Sequence, residues 1–236
     1  MTGDTDTLYP TCASCNVERS LRICTNADGT AGRGCPTVLR HEVLAEASRE
    51  YEDPATREFA RQASIQEAEC YANRGPTPYV SQPYKTRIQE VCEFAHKMGY
   101  RRLGMVFCAG LISEAARIGE ILRIHGFEVV SAVCKAGRVD KREIGVKDSE
   151  KIQVGRDEAM CNPIFQAKLL NHEKTEFNIV VGLCVGHDSL FLRFAEAPCT
   201  VLAVKDRVTG HNPLAAIYLS HSYYRKLEHP ELLAQQ

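Results

Sequence analysis

Apolar and polar positions divide the chain into a stretch without periodicity, a helical stretch and an alternating α/β stretch. Residues 11–35 are rich in Cys, Gly, Thr, Asn and Asp, so burial of a core cannot by itself order them. From Pro36 the pattern turns helical. One helix is predicted from Pro36, a good first-turn residue, to about Tyr51. A second starts at Asp53-Pro54, an N-cap followed by proline, and runs to about Gly75. The stretch Pro76 to Pro83 is too proline-rich for helix or central strand and reads as a linker.

The remainder alternates. A helix at about 85–98 presents Ile88, Val91, Cys92 and Ala95 on one face and stops at Gly99. A strand, Arg102 to Cys108, leads to a helix with Leu111, Ala115, Ile118 and Leu122 at helical spacing, closed by Gly126. A second strand, Phe127 to Cys134, precedes a long charged loop and a helix beginning at Asn162-Pro163. The third strand is Phe177 to Cys184, followed by a helix from Asp188. The fourth is Cys199 to Asp206, followed by a helix from Asn212-Pro213, whose Leu214, Ile217 and Leu219 are expected to pack on the sheet. Continuous apolar strands alternating with helices indicate a parallel sheet covered on both faces. The expected architecture is α/β. Residues 1–78 form a four-cysteine metal-binding segment with helices, and residues 79–236 a Rossmann-like or flavodoxin-like parallel-sheet domain of about four strands.

Composition narrows the function. The chain has 236 residues, 44% of them hydrophobic, and a formal net charge of −1. No strong field draws in nucleic acid or an anionic membrane, and no apolar run approaches a membrane span. The opening MTGDTDTLYP has neither a basic region nor an apolar run, so a cytoplasmic location is expected. There, eleven cysteines, an odd number, are ligands, nucleophiles or small core residues rather than a disulfide framework.

Cys12, Cys15, Cys24 and Cys35 follow the pattern C-x2-C-x8-C-x10-C-P. The x2 spacing lets one turn present two thiolates to one metal, and two more complete a four-sulfur shell. Arg19, Arg22 and Arg33 offset the charge. The final Cys-Pro resembles bacterial ferredoxin runs and favours a [4Fe–4S] cluster, whereas the single C-x2-C knuckle leaves zinc as the alternative.

Three predicted strands end in cysteine: Cys108, Cys134 and Cys184. In an open parallel sheet ligands sit beyond the carboxyl ends of strands. Cys161 immediately precedes the expected N-cap Asn162, so it belongs to the same rim. These four thiols are expected to bind a second iron–sulfur cofactor. The alternatives are a reactive thiol without metal and the use of cysteine as a small apolar strand residue. His187, Lys205 and His211 follow the third and fourth strands. The histidines suit proton transfer and Lys205 an anionic substrate. Cys70, Cys92 and Cys199 read as core or surface residues. No G-x-G-x-x-G follows the first strand, and no P-loop or G-x-S-x-G is present.

The blocks CASC…C…CPT, KTRIQEVCEFAHKMGY, FCAGLISEA, CNPIFQA, GLCVGHDSLF and VKDRVTGHNP resemble a family of prokaryotic predicted metal-binding proteins, domain-of-unknown-function family 1847. The resemblance implies a metal, places all eight of the cysteines just assigned at motif positions and gives no reaction. The expectation is therefore an iron–sulfur protein performing redox or cluster-assisted chemistry on a small molecule, alone or with a redox partner protein. The alternative is a zinc- or cluster-binding accessory module (a metal sensor, metallochaperone or cluster carrier) without catalysis.

Overall fold

A computed structural model describes residues 9–75 and 78–232. Residues 1–8, which carry most of the opening segment read above, and Pro76 and Thr77 of the expected linker lie outside the described residues. The chain divides into two compact units, residues 1–65 and 66–236.

The first unit opens with turns. Its stretch of small and polar residues is held by backbone hydrogen bonds: Thr11 N–H to Gly34 O (3.2 Å), Thr30 N–H to Leu21 O (2.7 Å) and Ile23 N–H to Thr30 O (3.1 Å). Helices α1 (Pro36–Leu39) and α2 (His41–Glu50) follow. The single helix expected here is broken at Arg40, whose φ of −136° and ψ of 45° leave the helical region. Helix α3 (Pro54–Glu69) begins at Asp53, whose carboxylate accepts the Thr56 N–H at 2.8 Å. It ends six residues before Gly75.

The second unit is the α/β domain. Strands β1 (Arg102–Phe107), β2 (Glu128–Val133), β3 (Phe177–Val181) and β4 (Cys199–Ala203) form one all-parallel sheet in the order β2-β1-β3-β4. Helices α4 (Arg87–Lys97), α5 (Ile112–Ile124), α6 (Pro163–His172) and α7 (His187–Phe194) connect and cover it, and the short α8 (Leu214–Tyr218) follows β4. The strand order runs one way from β1 to β2 and the other way from β3 to β4. The switch point therefore lies between the carboxyl ends of β1 and β3, where doubly wound folds hold their ligands.

Burial explains these elements. Strand β3 is buried at every position, and Val106, Ala132, Ala167, Leu170, Val180 and Phe191 form one core together with Cys108 and Cys134. Helix α4 buries Val91, Cys92, Phe94 and Ala95, and Arg87 Nε donates to Val201 O at 2.7 Å, tying that helix to edge strand β4.

The expected last helix is only five residues long. Its Leu214 and Ile217 are 54% and 59% exposed, which corrects the expectation that they pack on the sheet. No helix among the described residues is long and apolar enough to cross a membrane.

Candidate functional site

The parallel register decides which thiols meet. Phe107 stands level with Val133 of β2 and Val181 of β3. Cys108 and Cys134, each one residue past its strand, therefore leave the sheet side by side at the carboxyl edge. The Cys134 N–H closes the ladder onto Phe107 O at 2.8 Å, and both side chains are buried.

Cys161 reaches the same edge by another route. Asn162 caps α6, accepting the Phe165 N–H on its side-chain oxygen at 3.0 Å. Its own N–H donates to Cys134 O at 2.6 Å. This anchoring brings Cys161 Sγ to 3.6 Å from Cys134 Sγ.

The preceding charged loop is ordered by ion pairing rather than by a core. Lys141 Nζ meets buried Glu158 at 2.8 Å, Lys135 Nζ donates to Ala159 O at 2.6 Å, and Asp140 bridges to Ala159.

Cys184 lies after Gly182 and Leu183, on the turn into α7. Its carbonyl accepts the His187 and Asp188 N–H groups at 2.9 and 3.1 Å. Gly182 has φ +68°, and a Cβ there would collide with Leu111 Cδ1, so this tight exit from β3 requires glycine.

Electrostatics tie the four sulfurs together. Arg207, on the loop after β4, donates from its guanidinium to Cys184 Sγ at 3.1 Å. That contact raises its pKa further, with smaller contributions from Cys108 and Cys161. The Cys161 thiol is lowered to about 7, first by its hydrogen bond with Cys134 and then by the Lys135 charge. Cys134 is raised by the same contact and by burial.

The three expected polar residues differ. Lys205 lies on this edge, its Nζ 3.2 Å from where a Cβ of Gly110 would stand, with Cys108 Sγ 4.0 Å from that point. His187 starts α7 half-buried; burial lowers its pKa, and the Lys141 charge adds to that. His211, at φ +68°, accepts the Asp206 N–H on Nδ1 at 3.2 Å, so its tautomer carries the proton on Nε2. It closes the 206–211 turn. Arg207 is a rim residue that no pattern in the sequence singles out.

Cys199 opens β4 at the opposite edge, level with Asn178, whose amide donates to its sulfur at 3.8 Å. Cys92 and Cys70 are buried in the α/β unit.

In the first unit Cys12, Cys15, Cys24 and Cys35 all line one cavity of about 130 Å³, with Arg22 and Arg33 in its wall. Arg22 reaches back to Val17 O at 2.8 Å and Cys15 O at 3.3 Å. Gly34, at φ +77°, lets the chain turn where a side chain would strike Thr11. All eleven cysteines are free thiols. Among the described residues no three His, Cys, Asp or Glu side chains are gathered closely enough to hold a metal ion.

Two comparisons bear on the chain. The sequence model described as "Protein of unknown function (DUF1847)" matches residues 35–202. An uncharacterized protein of Methanocaldococcus jannaschii is 44% identical over 170 residues, which are 72% of this chain and 84% of that protein. The matched span holds all four rim cysteines and Cys35, while Cys12, Cys15, Cys24 and Lys205 fall outside it.

Proposed function

We infer that this chain, which belongs to the DUF1847 family, is a cytoplasmic iron–sulfur protein acting on a small molecule by redox or cluster-assisted chemistry. The observation that carries this reading is the meeting of Cys108, Cys134, Cys161 and Cys184 at the sheet's switch point, with Arg207 on Cys184. Four soft sulfur donors select iron–sulfur clusters, zinc or copper over hard cations.

Cys108, Cys134, Cys161 and Cys184 would hold the rim cofactor, and Cys12, Cys15, Cys24 and Cys35 a second cluster or a zinc ion. A [4Fe–4S] cluster supplies an electron or, with three thiolate ligands, an open Lewis-acidic iron. The protein's own part is to compensate charge and move protons. Arg207 offsets thiolate charge, and His187, kept neutral by burial, accepts a proton. His211 offers its Nε2–H as a donor, and Lys205 supplies a cation for an anionic substrate.

A second reading has support of its own. The 3.6 Å between Cys134 and Cys161 Sγ is near the roughly 3.8 Å between two thiolates on one tetrahedral metal with bonds of about 2.3 Å. That spacing suits a zinc- or metal-carrying accessory module, which would release its metal to an apo-acceptor.

Paired variants test the rim. In protein purified without oxygen, Cys184→Ser should lose the rim iron while Cys199→Ser keeps it. Equal iron in both variants would remove the rim as a metal site.

A further inference from the structure

The rim carries cationic capacity beyond what its thiols engage. Lys205 leaves the end of β4 with its stem across Gly182, its Cδ 3.7 Å from where a Cβ there would stand. The residue is half-buried, and no carboxylate reaches its ammonium among the described residues. Acids on this edge have partners of their own. Asp206 accepts the Val208 and Thr209 N–H groups at 2.9 and 3.0 Å, Asp188 that of Ser189 at 2.8 Å, and Glu158 meets Lys141. Arg207 gives Cys184 one of its five N–H donors, and the rest of its fork remains for another partner.

The backbone bears on which anion fits. Phosphate sites at this position of α/β folds rely on free N–H groups. Here five of those groups are spent internally. Ala109 gives its N–H to Cys134 Sγ at 3.3 Å, and Leu111 to Cys108 O at 2.8 Å. His187 and Asp188 give theirs to Cys184 O, and Asp206 to His211. The full positive charges at this edge belong to Lys205 and Arg207, and an ammonium together with a planar guanidinium suits a carboxylate.

We propose that Lys205 and Arg207 form a subsite for the carboxylate of a small organic acid, set beside Cys108 and Cys184 at the switch point. The inference rests on the rim being where chemistry occurs, and it names the class of substrate.

A pair of alkylating probes tests it without knowledge of the substrate. Iodoacetate and iodoacetamide both form a carbon–sulfur bond with a thiolate and release iodide, and they differ in carrying a carboxylate or a neutral amide. The full chain, freed of iron with a chelator and with its sheet signal intact, is labelled with each, and modified peptides are quantified by mass spectrometry. At Cys161 and Cys184, the half-exposed rim thiols, the iodoacetate-to-iodoacetamide rate ratio should exceed that at Cys199 about tenfold. In the Lys205→Gln/Arg207→Gln double variant it should fall to the Cys199 value. In the wild type, malonate should slow rim labelling by iodoacetate more than phosphate does at matched ionic strength, a comparison that needs no variant to fold.

A rim ratio equal to that of Cys199, a preference that survives both substitutions, or phosphate competing as well as malonate would each overturn the subsite. Iron content, measured before chelation, separates this inference from the cofactor reading. Iron without a carboxylate preference sinks the subsite alone. A preference without iron sinks the cofactor alone.

Discussion

Cys134 and Cys161 lie 27 residues apart in sequence, yet their sulfur atoms stand 3.6 Å from each other. The charged loop between them does not hold them there by packing. The short bond from Asn162 N–H to Cys134 O does, by docking the start of α6 on the end of β2.

Gln166 fixes the other side of this arrangement. Fully buried on α6, its amide donates to Ala132 O at 2.8 Å and Phe107 O at 3.4 Å, joining the two strand ends that carry Cys134 and Cys108. Gln166→Ala should therefore cost about 2–4 kcal/mol, by opening a cavity and removing two bonds. Urea unfolding measures the loss. A cost below about 0.5 kcal/mol, the usual range of a surface change, would show that the amide does not clamp the strands.

Glu93 gives a pH signature. Burial alone would raise its pKa, but hydrogen bonds from Lys85 (2.6 Å), Gln66 (2.8 Å) and Gln89 (3.1 Å) hold it down to about 2. A carboxylate with a depressed folded pKa contributes stability that is full above its unfolded value, near 4.5. That contribution is lost as pH falls toward 2. Glu93→Gln should destabilise by about 2 kcal/mol at neutral pH, after discounting for partial exposure, and the gap to wild type should close between pH 4.5 and 2. A gap that is constant from pH 7 to pH 3 would contradict the network.

The cysteine turns at the start of the described chain have no apolar core: of residues 9–35, only Gly34 is buried. A segment folded around metal comes apart when a ligand is lost. Cys24→Ser should open trypsin cleavage at Arg19, Arg22 and Arg33, while the β-sheet signal stays unchanged. Cleavage equal to wild type would show that hydrogen bonds alone hold these turns.

Much of the sheet was legible in the sequence because its strands read as predominantly apolar runs. FNIVV of β3, interrupted only by the buried Asn178, is one case, and the glycines at 99 and 126 marked helix ends. The rim was legible for a related reason: three of those runs finish on cysteine. Helix boundaries were less so. The break at Arg40 is a local backbone conformation that leaves the apolar pattern intact, and the short α8 follows a helical pattern that finds no surface to cover. Arg207 and Gln166 could not be found by pattern. Each acts on residues 23 to 59 positions away, and such pairings arise only when the sheet brings the chain together.

The most direct measurement is the iron and acid-labile sulfide content per chain after purification without oxygen. Iron with matching sulfide in excess of one four-iron cluster is the expected result, because two cysteine sets share the load. One zinc per chain with neither iron nor sulfide would contradict it.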